Sequence, residues 1–177
     1  GFPNYTFKNL QIPSNMVDNI IENNSIAGVA ITGSAQAGSA VAKKAGEYLK
    51  KTVLELGGND PYVILDDADI SKAVRSCVEG RILNTGQSCI SAKRLIVTEK
   101  NVKIFTKKLI NLLETKVIGD PYDDVDLGPL VSEDARNEVH NLVEKSIVRG
   151  AILKMGGEIP DINGAYYSIA VLADVKP

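Results

Sequence analysis

The sequence predicts an α/β fold, a mainly parallel sheet with flanking helices. Three observations carry that expectation. Short runs of small and β-branched residues alternate along the chain with segments of helical apolar spacing, the order that produces parallel strands joined by crossover helices. Glycines close two of the strand runs, at Gly33 and at Gly57-Gly58. The composition is that of an ordinary globular chain: 177 residues, 44% apolar and 24% charged.

The elements follow in order. Residues 1–15 are polar, contain Pro3 and Pro13, and read as loop with one short strand. Residues 17–21 suit a short helix, and residues 27–32 (AGVAIT) a buried strand ended by Gly33. Over residues 35–50 apolar positions recur at Ala37, Val41, Ala45 and Tyr48, a helical spacing. Residues 52–56 and 62–65 read as strands. Asp69 is a good N-cap for a helix whose inward stripe is Ile70, Ala73, Val74, Cys77 and Val78. Residues 94–98 form a further strand, and residues 102–113 a helix turning Phe105, Leu109, Leu112 and Leu113 inward. A long acidic loop with two prolines covers residues 119–132. Ser132 caps a helix reaching Arg149, with Glu133 and Asp134 in its first turn and Gly150 just past its end. Short strands are expected at residues 152–154 and 166–171.

Charge and composition exclude several functions. With 20 basic against 22 acidic residues the net charge is -2, so there is no electrostatic case for nucleic acid or an anionic membrane surface. Six Tyr, three Phe and no Trp make a stacking platform for single strands improbable. No apolar run approaches the roughly 20 residues that span a bilayer. The opening Gly1-Phe2-Pro3-Asn4 lacks the pattern of a signal peptide, and the missing initiator Met suggests a chain cut from something longer. Two cysteines and one histidine support neither a disulfide framework nor a zinc site, so no metal is expected and the expected compartment is the cytoplasm.

Three motifs remain. Thr32-Gly33-Ser34 with Gly38 sits where a strand feeds a helix, which suits either phosphate binding by backbone N–H groups or an ordinary strand-to-helix turn. Ser39 and Ala40 stand where a P-loop would place Lys and Ser/Thr, which disfavours phosphoryl transfer. Glu55 lies at the end of a strand, either a general base in a crevice or a solvated glutamate. Cys77 falls on an apolar helical stripe and reads as core. Cys89, in the polar loop Asn84-Thr85-Gly86-Gln87-Ser88-Cys89, is a nucleophile candidate. His140, on a helix among polar neighbours, reads as a solvated residue rather than a base, which leaves a carboxylate such as Glu55, or water, for that role.

Together these residues resemble a known family. Ile31-Thr32-Gly33-Ser34 with Gly38, Leu54-Glu55-Leu56-Gly57-Gly58, Asp67-Ala68-Asp69 and Gly86-Gln87-Ser88-Cys89 are similar to the ordered signatures of NAD(P)-dependent aldehyde dehydrogenases. The Glu55 of Glu-Leu-Gly-Gly is followed thirty-four positions later by the Cys89 of Gly-Gln-x-Cys, and the resemblance runs along essentially the whole chain. In wording, Leu49-Lys50-Lys51, Asn59-Asp60-Pro61 and Ala92-Lys93-Arg94 look closest to the succinate-semialdehyde dehydrogenase branch. Against that branch, Leu83 replaces a substrate-binding Arg (the nearest is Arg81) and Ser91 replaces an occasional second Cys. Ile31 and Ile169 replace a usual Phe and Pro, as packing changes.

The resemblance implies a fold of the aldehyde dehydrogenase type. Residues 1–56 would be the last part of a dinucleotide-binding domain, and residues 57–177 most of a catalytic domain, incomplete at its C-terminus. It implies that Cys89 attacks a small aldehyde to give a thiohemiacetal, that hydride passes to NAD or NADP, and that Glu55 activates the water that hydrolyses the thioester. Thr32, Gly33, Ser34, Gly38 and Leu56 would line the cofactor. The family's upstream oxyanion Asn and ribose-binding Lys, its downstream Glu-x-Phe-Gly-Pro segment and its oligomerising arm have no counterpart here, so the chain alone is expected to be inactive. Apolar surface left bare should favour a homo-oligomer. The competing reading is a non-catalytic fragment with a structural or interaction role.

Overall fold

Small and β-branched residues carry the chain through β1 (Gly28–Gly33), and the helix that follows, α2 (Ala35–Glu47), returns it to β2 (Lys51–Leu56). The computed structural model describes residues 1–176. They divide into two compact units, Gly1–Gly57 and Gly58 onward. In the first, β1 and β2 pair in parallel with Thr32 opposite Glu55 and Gly33 opposite Leu56. Gly28 opens β1 where a Cβ would lie 3.2 Å from the Lys51 carbonyl oxygen. A short helix α1 (Val17–Glu22) buries Ile21, and α2 buries Ala45. Lys44 pairs with Glu22, and Lys50 donates to the carbonyls of Ile21 and Asn23, so two lysines tie α1 to the end of α2.

The second unit begins with β3 (Pro61–Ile64), then α3 (Ile70–Ile82), β4 (Arg94–Val97) and α4 (Glu99–Leu113). Strands β3 and β4 are parallel, Ile64 facing Val97. Asp69 caps α3 by accepting from the Lys72 N–H at 3.0 Å. The α3 stripe meets α4 in a core of Ile64, Val74, Cys77, Val78, Phe105, Leu109 and Leu113. Burying such side chains is worth about 1.5–3 kcal/mol each. After the acidic loop come α5 (Glu133–Val148), β5 (Ile152–Met155) and β6 (Val171–Ala173). Ser132 caps α5 through the Ala135 N–H, and Gly150 follows with φ +99°.

The structure departs from the sequence-based expectations at five places. No strand forms among residues 1–15, where Phe2, Tyr5 and Phe7 are exposed and find no partner strand. Helix α2 stops at Glu47, and Tyr48 is exposed rather than inward, its ring near the ammonium groups of Lys44 at 5.2 Å and Lys50 at 5.7 Å. Helix α4 starts at Glu99, and its buried Asn101 donates to the Leu65 carbonyl at 2.9 Å. The last strand is Val171–Ala173, not residues 166–171, because the groups before it bond elsewhere. Ser168 N–H donates to the Glu158 carbonyl, and the Ala165 carbonyl accepts from the Leu130 N–H. Finally, β6 runs antiparallel to β5, the exception among the described residues to pairing that is otherwise parallel as expected, in β1–β2 and β3–β4.

Candidate active site

Helix α3 ends at Ile82, and the chain then enters an unusual turn. Asn84, Thr85 and Gly86 lie in the left-handed region at φ 51°, 55° and 74°. The Gln87 N–H closes the turn on the Asn84 carbonyl at 3.0 Å. For residues with a Cβ that region costs roughly 1–2 kcal/mol each, and a β-branched Thr is a marked outlier there. Such strain persists where surrounding contacts over-determine it. The Thr85 hydroxyl accepts from the Gly128 N–H at 3.2 Å and reaches the Gly128 carbonyl at 3.4 Å. The Gln87 side-chain carbonyl accepts from the Val131 N–H at 2.8 Å. The Arg81 guanidinium donates to the Gly86 carbonyl at 3.3 Å.

This turn delivers Cys89 to the surface, an exposed free thiol. Cys77 is the opposite case: 3% exposed inside the α3–α4 core, with burial pushing its thiol pKa up. Thiolate, not thiol, is the nucleophile, so the buried Cys77 is poorly suited to nucleophilic chemistry. Residues 58–60 run alongside the same segment. A Cβ on Gly58 would lie 3.0 Å from the Cys89 carbonyl oxygen, which explains a glycine there. Lys93 donates to the Gly58 carbonyl, and Arg94 Nε to that of Asn59 at 2.9 Å. His140 is not simply solvated. It is half-buried, with Nδ1 3.2 Å from the Tyr167 hydroxyl, which in turn donates to the Gly157 carbonyl at 2.9 Å.

The remaining candidates lie in the first unit. Glu55 is exposed on β2, paired in register with Thr32. Thr32, Gly33 and Ser34 are exposed where β1 passes into α2. Ser34 caps α2, its hydroxyl accepting from the Ala37 N–H at 3.2 Å. The N–H groups of Ala35 and Gln36 have no carbonyl available within the helix, and the first turn carries no acidic side chain. That donor set fits an anionic diphosphate. Gly38 is different: its N–H already bonds the Ser34 carbonyl at 2.9 Å, and its missing side chain makes room for Leu56, whose Cδ2 would be 2.5 Å from a Cβ there. Gly38 and Leu56 therefore meet each other, fixing α2 against β2.

Sequence reasoning missed the supports of the thiol loop. Thr85 and Gln87 bond partners more than forty positions away, and no local pattern announces that.

With the geometry in place, comparison with known proteins is decisive. The model of the aldehyde dehydrogenase family matches residues 1–177. The chain belongs to that family. It is 42% identical over 176 residues to succinate-semialdehyde dehydrogenase [NADP(+)] of Mycobacterium leprae (strain TN), covering 99% of this chain and 38% of that protein. It is 43% identical over 178 residues to succinate semialdehyde dehydrogenase [NAD(P)+] of Escherichia coli (strain K12), covering 100% of this chain and 38% of the relative. The crystal structure of succinic semialdehyde dehydrogenase from Streptococcus pyogenes, in complex with NADP+ as the cofactor, superposes with a TM-score of 0.87 at 37% identity, covering 91% of this chain and 36% of the other. The chain thus spans about two-fifths of the length of the curated relatives it matches. Among the described residues, no helix is long and apolar enough to cross a membrane.

Proposed function

We propose that this chain carries the nucleophile of an NAD(P)-dependent aldehyde dehydrogenase acting on a small aldehyde, succinate semialdehyde being the foremost candidate. The observation that supports this best is Cys89: an exposed thiol at the end of a left-handed turn held by Thr85, Gln87 and Arg81. A strained, over-determined turn is what a positioned nucleophile requires, and an inert surface cysteine does not. The relatives named for succinate semialdehyde at 42% and 43% identity supply the substrate class.

In this reading the Cys89 thiolate adds to the aldehyde carbon, forming a C–S bond as the carbonyl π bond opens to an alkoxide. The alkoxide's electron pair re-forms the C=O bond when hydride leaves that carbon. When bound, NAD(P) supplies the oxidising chemistry by accepting a hydride. Cys89 then holds the acyl group as a thioester, and Glu55 takes a proton from the water that cleaves the C–S bond, releasing acid and thiolate. The Cys89 backbone N–H donates to the developing oxyanion. Thr32, Gly33 and Ser34, with the free amides of Ala35 and Gln36, would hold the diphosphate, while Gly38 and Leu56 shape that end of the first unit. Residues 1–56 are assigned to dinucleotide binding and residues 57–177 to catalysis, in the cytoplasm. Bare apolar residues on the β3–β4 pair, Val63 at 60% and Ile96 at 50% exposure, support self-association into a homo-oligomer.

A non-catalytic, interaction-only role is the second reading, favoured by the exposed apolar Val63 and Ile96 on the β3–β4 pair. A chimera separates the two: these 177 residues replace the matching segment of the Escherichia coli relative. It should oxidise succinate semialdehyde with appearance of reduced cofactor. Cys89→Ala should abolish this, and Glu55→Gln should keep a single-turnover burst while losing steady-state rate. A folded chimera without a burst would overturn the assignment of Cys89, and wild-type turnover in Glu55→Gln would overturn that of Glu55.

A further inference from the structure

Arg81 stands in the last turn of α3, where the helix dipole favours a cation. It is half-buried, and burial lowers its pKa without bringing it near neutrality. A desolvated guanidinium ordinarily finds a carboxylate. Among the described residues the ion pairs involve Lys44, Lys116 and Arg136, and none involves Arg81. Its side chain instead turns past the end of its own helix and donates from Nη1 to the Gly86 carbonyl at 3.3 Å.

The contact is close as well as polar. A Cβ at residue 86 would lie 2.9 Å from Nη2 and 3.0 Å from Cζ of Arg81, so the guanidinium occupies the space a side chain would need. Gly86 is also the third left-handed residue of the turn, at φ 74°. Thr85 and Gln87 are gripped from residues 128–131, and Arg81 grips the peptide between them from the side of α3. The turn is therefore clamped from two directions.

We propose that Arg81 is a positioning residue for the nucleophile loop: by holding the Gly86 carbonyl it maintains the left-handed turn that presents Cys89. The functional meaning of this rests on Cys89 being the nucleophile; the structural claim does not. It assigns the half-buried cation to the protein's own backbone rather than to the substrate.

The test is amide hydrogen exchange, followed by NMR on the 177-residue chain. The reporter is the Gln87 N–H, whose bond to the Asn84 carbonyl closes the turn. In Arg81→Met, which keeps the aliphatic stem but removes the donors, Gln87 should exchange at least tenfold faster while the core amides of α3 and α4 keep their protection. Arg81→Lys restores one donor and should recover most of the protection at Gln87. Unchanged exchange at Gln87 in Arg81→Met would overturn the proposal, and so would Arg81→Lys exchanging as fast as Arg81→Met, or failing to fold. Should Arg81→Met itself not fold, a folded and protected Arg81→Lys beside an unprotected Arg81→Gln carries the same distinction. Exchange at Gln87 does not depend on whether Cys89 reacts, whereas the chimera's burst does, so the two readings fail separately.

Discussion

Gly38→Ala tests whether this glycine exists for packing. In the interior of a helix the change should stabilise by up to about 1 kcal/mol, because Ala is the better helix former. The structure opposes that gain. The new methyl would lie 2.5, 2.7 and 3.2 Å from Cδ2, Cδ1 and Cγ of Leu56, so the Leu56 side chain would have to shift to admit it. Overpacking of this kind costs about 1–3 kcal/mol, so the net effect should be a destabilisation of about 1 kcal/mol. Removing the opposing group removes the clash. In a Leu56→Ala background the same Gly38→Ala change should stabilise by about 1 kcal/mol, a coupling of about 2 kcal/mol between the sites. Exchange of the α2 amides near Ala45 isolates the first unit from the second and gives both free energies. If Gly38→Ala has the same sign in both backgrounds, Leu56 is not the reason for the glycine and close approach of a ligand becomes the better account.

Three further outcomes follow from the same structure. Iodoacetamide should label exposed Cys89 well before Cys77, which is 3% exposed, as read by peptide mass; equal rates would remove the basis for singling out Cys89. Ser132→Ala removes the acceptor for the Ala135 N–H and should cost about 1 kcal/mol in urea unfolding of the second unit. The Asp126 carboxyl is held below the usual carboxylate range by the Lys116 ammonium at 2.7 Å and the Val117 N–H at 2.9 Å. Because the folded pKa is the lower one, its contribution is complete above the unfolded value and is lost as pH falls through the folded one. Acid-induced loss of protection at the Gly119 amide, which bonds the Leu127 carbonyl, should therefore be shallower in Asp126→Asn.

What the sequence revealed was local. The stripe Ile70, Ala73, Val74, Cys77 and Val78 predicted both α3 and the burial of Cys77, because helical period alone decides which side of the helix is dry. The caps at Asp69 and Ser132 were legible for the same reason, their acceptors lying three residues from the N–H they satisfy. The family signatures around Glu55 and Cys89 were legible as words. Failures came where partners are distant. Residues 166–171 looked like a strand, yet Ser168 engages Glu158 and Arg136 takes the nearby Gly164 carbonyl at 2.8 Å, so the ladder starts only at Val171. His140 looked solvated because the ring of Tyr167, twenty-seven positions away, was invisible to any local pattern. Asn84 and Thr85 were read as ordinary loop, since no propensity puts a Thr at φ 55°.

That last failure bears on function. Two non-glycine residues in the left-handed region store about 2–4 kcal/mol against the turn. A neutral hydrogen bond returns about 0.5–1.5 kcal/mol net, and one from a charged donor about 1.5–3. At the middle of these ranges no single contact offsets about 3 kcal/mol of strain by itself. The Thr85, Gln87 and Arg81 bonds together do, and the first two come from residues 128–131 while the third comes from α3. The conformation of the Cys89 loop is therefore a property of the second unit's tertiary structure and not of the loop's own residues. A peptide spanning residues 81–93 should not keep the turn, even though it contains the whole Gly-Gln-Ser-Cys signature. Loosening either clamp should release the turn before it unfolds the core around Phe105 and Val78, because those side chains supply none of the bonds that hold it.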